Sequence, residues 1–285
     1  MPPPGQSVPP DPKPFVKWAG GKRQLLPDIG RNLPEGCREM TYFEPFLGGG
    51  AVLFALRPRR AVVSDLNSEL MDAYRALQRD PDEVIGSLSA LAGDLSEERY
   101  YEVRAWDRRE GFAGLPAHER AARLVYLNRT CFNGLYRVNA RGHFNVPRGS
   151  YTNPQVCDPE GLRAVGSYLR EAEVRILCGD FADAVAGAGR GSFVYLDPPY
   201  HAPLANFTSY QSGGFGEGEQ KRLRDVYEEL TRRGALCLLS NSDTPFVRGI
   251  YRRGGFRVVA VKASRNINSR GDARGKVGEV LIRNY

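Results

Sequence analysis

Histidine is nearly missing from this sequence and cysteine is sparse, with three of the first and five of the second in 285 residues. The cysteines (Cys37, Cys131, Cys157, Cys178 and Cys237) are scattered without a close pair. That spacing excludes a zinc site of paired Cys and His ligands and a disulfide framework, so no metal and a reducing cytoplasm are expected. No apolar run approaches the ~18 residues of a membrane span, and no membrane role is expected. The N-terminus lacks the basic start and apolar stretch of a secretory signal. Seven of its first fourteen residues are proline (Pro2, Pro3, Pro4, Pro9, Pro10, Pro12 and Pro14), so 1–14 reads as a disordered, polyproline-biased tail.

Acidic residues are absent where basic ones gather. The chain carries 40 Lys and Arg against 33 Asp and Glu, a formal charge of +7. Between 120 and 157 there are six arginines and no acid, with Tyr126, Phe132, Tyr136, Phe144 and Tyr151 interleaved. Between 248 and 276 there are nine basic residues and one acid, Asp272. A single basic run is commonly just a solvated face. Two acid-depleted stretches, one of them rich in aromatics, point to a track for a polyanion.

Short apolar runs bounded by Gly, Asp and Asn predict strands at 41–43, 60–63, 174–177, 192–196, 236–240, 257–261 and 280–282. Helical spacing of apolar residues marks 51–56, 68–78, 159–170 and 218–233. Strands alternating with helices imply an α/β, Rossmann-like, mostly parallel sheet covered on both faces. The segment 80–157 breaks the rhythm and reads as an inserted module. No internal repeat is present.

The strongest chemical signal is Asp197-Pro198-Pro199-Tyr200, directly after the apolar run Phe193-Val194-Tyr195-Leu196. Ligands of open α/β sheets bind beyond the carboxyl ends of the strands, which is where this tetrapeptide falls. Two successive prolines remove two backbone donors and leave rigidly held carbonyl acceptors. An aromatic amine is a poor nucleophile because its lone pair is delocalised into the ring. A carboxylate and a fixed carbonyl that accept its two N–H bonds let the nitrogen pyramidalise toward an electrophilic methyl. Tyr200 offers a face for a base to stack on, worth roughly 1–3 kcal/mol. The bland alternative is a proline-rich turn with Asp197 as a helix cap.

A second signal weakens that alternative. Phe43-Glu44-Pro45-Phe46-Leu47-Gly48-Gly49-Gly50 runs from a strand through glycines into a helix, a pattern that lets backbone approach a ligand closely. Asp65 ends the next apolar run about 15 residues after the glycines, near the ~20 at which an acid reaches a ribose hydroxyl. Gly20-Gly21-Lys22 is followed by Arg23 and lacks the upstream glycine of a phosphate loop, and no Gly-x-Gly-x-x-Gly is present. Nicotinamide and ATP are therefore disfavoured. A nucleoside with a sulfonium and no phosphates fits an acidic pocket of Glu44, Asp65 and Asp180, with Phe181 covering its adenine.

In order, Lys17-Trp18-Ala19-Gly20-Gly21-Lys22, the Phe-x-Gly-Gly-Gly segment, Ser64-Asp65-Leu66-Asn67, Asn133-Gly134-Leu135-Tyr136-Arg137 and Asp197-Pro198-Pro199-Tyr200 resemble the Dam-type DNA adenine methyltransferases, from Phe15 nearly to the C-terminus. The resemblance implies the S-adenosylmethionine-dependent methyltransferase fold. Residues 15–79 and 158–285 would be the cofactor-binding catalytic domain, and 80–157 a mainly helical target-recognition domain. It implies S-adenosylmethionine held by Trp18, Ala19, Gly20, Lys22, Glu44, Pro45, Phe46, Gly48, Gly49, Asp65, Asp180, Phe181 and Asp197. Asp197, Pro198, Pro199 and Tyr200 would hold a flipped adenine.

It implies double-stranded DNA as partner. Arg137 would pair with a guanine, Leu135 touch a thymine methyl and Lys17 meet another guanine, which together give GATC. Phe132 and Asn133 would fill the gap left by the flipped base, and many relatives carry tyrosine at the position of Phe132. Arg129, Gly134, Tyr136, Asn145, Arg148 and Tyr151 would complete the contact. Arg265, Asn266, Arg270 and Arg274 would bind the DNA backbone. The stretch His201-Ala202-Pro203-Leu204 differs among relatives and bears on the shape of the adenine pocket. A monomer in the cytoplasm of a prokaryote or phage-infected cell, on the nucleoid, is expected.

The acceptor chemistry of Asp197 is indifferent to which aromatic amine it holds, so the cytosine amino group in DNA and an RNA base are rival substrates. A DNA-binding protein without catalysis is a rival of another class. The match in the recognition module favours adenine in DNA, and the intact Asp197–Tyr200 motif together with Asp65 favours catalysis.

Overall fold

A computed structural model describes residues 10–201, 215–262 and 278–285. Its strands, numbered along the chain, are β1 (Thr41–Glu44), β2 (Arg60–Val63), β3 (Val174–Ile176), β4 (Ser192–Leu196), β5 (Leu236–Ser242), β6 (Arg257–Lys262) and β7 (Gly278–Arg283). Its helices are α1 (Leu26–Arg31), α2 (Ala51–Leu56), α3 (Ser68–Arg79), α4 (Pro81–Ala92), α5 (Glu97–Arg104), α6 (Ala117–Thr130), α7 (Pro159–Glu171), α8 (Phe181–Ala184), α9 (Glu217–Arg232) and α10 (Pro245–Tyr251). These elements divide into two compact units. One takes in 10–21, 48–55 and 67–178, and the other 22–47, 56–66 and the described residues from 179 onward.

The first unit is mainly helical. Asn67 caps α3 by accepting the Leu70 N–H at 2.9 Å, and the helix buries Leu70, Met71, Ala73, Tyr74, Ala76 and Leu77 along one face. Asp80 both ends α3 and caps α4, accepting the N–H groups of Asp82 and Glu83 while Pro81 takes the first helical position. Asp158 and Pro159 start α7 in the same way. Gly166 of α7 lies against α3, where a Cβ would stand 2.6 Å from the Leu77 carbonyl oxygen, so only glycine permits that approach.

At the centre of this unit Arg123 is fully buried. It pairs with Asp107 at 2.8 Å and Glu69 at 3.4 Å, and donates to the carbonyls of Val103 and Arg104. Asp107 also accepts the Phe144 N–H at 2.7 Å, which ties the segment after α6 back to the helices. This corrects the reading of 120–157 as one polyanion track. Arg123 is an internal counter-ion, and Tyr126 and Phe144 are core residues, 0% and 1% exposed. A buried arginine still needs acids, and those acids lie outside the acid-free stretch.

In the second unit six strands form a sheet in the order β2-β1-β4-β5-β7-β6. Neighbours from β2 through β5 are parallel, and β7 pairs antiparallel with both β5 and β6. All five residues of β4 are buried, as a central strand covered on both faces requires. Leu223, Tyr227 and Leu230 of α9, with Val247 and Tyr251 of α10, pack in one core with Val194, Leu196, Cys237 and Leu239. The mostly parallel α/β architecture is the one expected, with strand ends shifted by two residues or fewer.

The short helices α1, α8 and α10 were not anticipated. Among the described residues no helix is long and apolar enough to cross a membrane. No group of three or more His, Cys, Asp or Glu among them could hold a metal ion.

Removing Asp107 strands the Arg123 charge in the core. Asp107→Ala is expected to cost about 3–5 kcal/mol of unfolding free energy, read by urea denaturation followed by circular dichroism. A change below about 1 kcal/mol would show that Arg123 does not depend on this partner.

Candidate active site

Parallel register brings the chemistry to one edge of the second unit. Glu44 pairs with Val63, Phe43 with Val194, and Leu196 with Leu239. The residues that follow, Pro45-Phe46, Ser64-Asp65, Asp197–Tyr200 and Ser240–Ser242, therefore leave or end their strands at the same carboxyl edge. The Gly179 N–H donates to the Asp65 carbonyl at 3.2 Å, which draws the start of α8 to the same place. There Phe181 stacks on Phe46 with ring centroids 5.3 Å apart. Glu44 is 3% exposed and accepts the Tyr42 hydroxyl at 2.9 Å.

The Asp197 carboxylate is gripped from two sides. Lys22 Nζ lies 2.7 Å from Oδ2, and the Ser240 hydroxyl donates to Oδ1 at 2.8 Å. Tyr195 OH lies 3.1 Å from Ser240 Oγ; with the Ser240 proton committed to Asp197, Tyr195 is the donor. Lys22 also stands over the Tyr200 ring, 4.8 Å from its centroid, and the Tyr200 hydroxyl donates to Glu279 at 2.9 Å.

The turn itself is anchored from below. Gln220 donates to the Pro199 carbonyl at 2.9 Å while accepting from Asn241 at 2.9 Å, and Asn241 accepts the His201 N–H at 3.1 Å. The Pro199 carbonyl thus already accepts one hydrogen bond from within the fold. Among the described residues none donates to the Pro198 carbonyl.

Electrostatics follow from this packing. Burial holds the Asp197 carboxyl above its usual range, against the opposing pull of the Lys22 charge and the hydrogen bonds from Lys22 and Ser240. Burial, reinforced by the charges of Asp197 and Glu279, pushes the Tyr200 hydroxyl far above the range in which it ionises.

Two expected cofactor residues carry ion pairs within this unit. Lys22 serves Asp197. Asp180 caps α8 through the Ala182 N–H at 2.9 Å, and its two oxygens pair with Arg222 at 2.5 and 2.8 Å. The hydrogen bond from Arg222 holds the Asp180 carboxyl below its usual range, and the Arg222 guanidinium lies 4.5 Å from the Phe181 centroid. The negative charge assigned to three carboxylates is therefore compensated at Asp180.

Trp18, Ala19, Gly20, Gly48 and Gly49 fall in the first unit. Trp18-Ala19-Gly20-Gly21 is a turn closed by the Gly21 N–H on the Trp18 carbonyl, with Gly20 at φ +79°. A Cβ on Gly48 would stand 2.8 Å from Trp18 Cδ1, and Tyr74 OH donates to the Gly48 carbonyl at 3.1 Å. Trp18 stacks on Tyr136 with centroids 5.4 Å apart, and burial raises the Tyr136 hydroxyl to about 12.

In the same unit Phe132 is 44% exposed, and the neighbouring Asn133 adopts φ +55°, which asparagine tolerates better than most residues. Asn145 accepts Arg137 Nε at 2.6 Å, and its carbonyl accepts a second Arg137 N–H at 3.2 Å. Lys17 Nζ donates to Tyr151 OH at 3.3 Å. Arg129 and Arg148 donate to the carbonyls of Phe15 and Leu95. The expected backbone contacts Arg265, Asn266, Arg270 and Arg274, and the stretch Ala202-Pro203-Leu204, lie outside the described residues.

Ser240, Tyr195, Gln220, Asn241 and Glu279 were missed by sequence reasoning. The one signal was Ser240-Asn241-Ser242, a polar cluster closing an apolar strand that should end beside Asp197.

Known proteins carry a matching pattern. The family model described as D12 class N6 adenine-specific DNA methyltransferase matches residues 18–267. Type II methyltransferase M1.LlaDCHI of Lactococcus lactis is 42% identical over 276 residues, 96% of this chain and 95% of that protein. Type II methyltransferase M.MjaIII of Methanocaldococcus jannaschii is 43% identical, over 96% of this chain and 99% of that protein. DNA adenine methylase of Escherichia coli K12 is 38% identical over 94% and 93%.

Because Lys22 opposes the effect of burial on Asp197, Lys22→Gln is expected to raise the Asp197 pKa further. A carboxyl carbon NMR titration of wild type and variant reads this directly, and an unchanged or lower midpoint would show that the ion pair does not control the carboxylate.

Proposed function

Since this chain belongs to the D12 class N6 adenine-specific DNA methyltransferases, we propose that its methyl donor is S-adenosylmethionine and that its target is an adenine flipped out of double-stranded DNA within GATC. The observation that carries this reading is the Asp197 carboxylate, fixed by Lys22 and Ser240 at the end of β4 beside a Pro198 carbonyl that no described donor uses.

The donor set fits the cofactor. Glu44 and Asp65 put carboxylates at the ends of neighbouring strands, suited to ribose hydroxyls or an amino-acid ammonium group, and Phe46 and Phe181 form an aromatic surface for a nucleobase. No Gly-x-Gly-x-x-Gly or phosphate loop accompanies them. Glu44, Pro45, Phe46, Asp65 and Phe181 would hold it. When bound, S-adenosylmethionine supplies an electrophilic methyl on a positively charged sulfur.

The remaining chemistry belongs to the chain. A carboxylate offers about four lone-pair positions, and Lys22 and Ser240 use one on each oxygen. Asp197 therefore keeps capacity for one adenine N–H while the Pro198 carbonyl takes the other. Held by both hydrogens, the nitrogen directs its lone pair away from the ring plane, and the negative carboxylate stabilises the positive charge that develops on it. With Lys22 over the Tyr200 ring, a base stacks on the opposite face. Flipping costs a few kcal/mol, and the exposed Phe132 would refill the stack. Arg137, preset by Asn145, with Leu135 and Lys17 would read GATC. Relatives in bacteria and an archaeon support a prokaryotic cytoplasm as the setting.

Incubation of unmethylated plasmid with labelled cofactor, followed by nucleoside analysis, is expected to give label in N6-methyladenine only. Protection from a methyl-sensitive nuclease at GATC is expected to follow. Asp197→Ala is expected to lose at least about a hundredfold in kcat. Label in methylcytosine, or near-normal kcat in Asp197→Ala, would contradict the reading. Since Asp197 must be ionised to accept, and burial raises its pKa, activity is expected to fail as pH drops through a value above the usual aspartate ~3.9.

A further inference from the structure

One buried side chain joins the two stretches assigned to base reading. Asn128, on the last turn of α6, is 3% exposed. Its Oδ1 accepts the Lys17 N–H at 2.7 Å, and its Nδ2 donates to the Lys17 carbonyl at 2.7 Å and to the Gly134 carbonyl at 3.0 Å. The amide meets both backbone groups of Lys17 as a neighbouring strand would, and its second N–H reaches the recognition turn. Acceptor and both donors are used, so the orientation of the amide is fixed by its partners.

The turn is shaped for this contact. Gly134 has φ +65°, and a Cβ there would stand 2.7 Å from both Cβ and Cδ of Lys17. The Cβ of Lys17 is fixed to its backbone and cannot swing aside as a chain end could. Lys17 is thereby held between Asn128 and Gly134, with its Nζ 4.5 Å from the centroid of the Tyr151 ring. Arg137 leaves the same turn three residues later and is preset by Asn145.

We propose that Asn128 is a specificity-determining positioning residue, whose buried amide fixes Lys17 and the Asn133–Arg137 turn as one base-reading surface. Asn128 itself touches no base. The inference rests on the reading that Lys17 and Arg137 contact bases, and it adds the residue that sets their spacing. An aspartate in its place can still accept the Lys17 N–H, but its second oxygen, an acceptor, replaces the Nδ2 donor and faces the carbonyls of Lys17 and Gly134, so the clamp opens with little change in volume. Gly134→Ala opens it from the other side.

The test measures initial methylation rates of wild type, Asn128→Asp, Asn128→Ala and Gly134→Ala on a duplex pool randomised around one adenine, read by sequencing. The wild-type pattern by itself decides the GATC reading. Whatever site wild type prefers, the folded variants are expected to lose about tenfold or more of the discrimination against single substitutions at the base pairs whose identity Lys17 and Arg137 decide, since each good contact supplies roughly that factor. Lys17→Ala and Arg137→Ala, run in parallel, locate those pairs. A purely structural role would slow every sequence alike and leave the ratios intact. Unchanged ratios in any one folded variant of Asn128 or Gly134 would overturn the proposal, even if the others do not fold.

Discussion

A carboxylate has to stay charged in a place that resists charge. In the proposed function Asp197 serves as an acceptor, yet its side chain is 16% exposed and burial pushes its pKa upward. Lys22 and Ser240 are the structural answer. One supplies a counter-charge at 2.7 Å and the other a neutral donor at 2.8 Å, each on a different oxygen. A single counter-ion would leave the carboxylate free to rotate. Two partners on two oxygens fix its plane, and Tyr195 and the Gln220–Asn241 pair in turn fix what lies beneath it.

The rest of the second unit can be understood as the means of keeping those groups in place. Parallel pairing of β1, β2, β4 and β5 sends every useful residue to one edge, and the fully buried β4 holds the Asp-Pro-Pro-Tyr turn with little freedom. The antiparallel β7 contributes Glu279, which anchors the Tyr200 hydroxyl, so the strand that breaks the parallel order also supports the site. In the first unit, the buried Asn128 and the Arg123–Asp107 pair, and the half-buried Asn145, likewise tie separate segments together through polar contacts.

Much of this was legible in the sequence. Strand cores, the α/β class and the position of Asp197 at a strand end follow from periodicity and proline placement, and the adenine-specific methyltransferase family from the resemblance that its ordered motifs carry. The partners of those residues did not. Lys22 read as part of a cofactor motif because nothing in a linear sequence shows that it folds onto Asp197. Asp180 read as an acid facing a cation because Arg222, one turn into α9, could not be matched to it. The arginines and aromatics between 120 and 157 read as a surface because composition does not separate Arg123, Tyr126 and Phe144, which are interior, from Phe132, which is exposed. Periodicity reports which face an element buries, but long-range polar pairing leaves no period.

The most direct test of the central claim is a crystal structure of the enzyme with duplex DNA and a cofactor analogue that lacks a transferable methyl. The account requires the target amino nitrogen to lie within about 3 Å of both an Asp197 oxygen and the Pro198 carbonyl, with Lys22 and Ser240 still on the carboxylate. An amino group directed away from residue 197, or a carboxylate that had given up both partners to receive it, would contradict it.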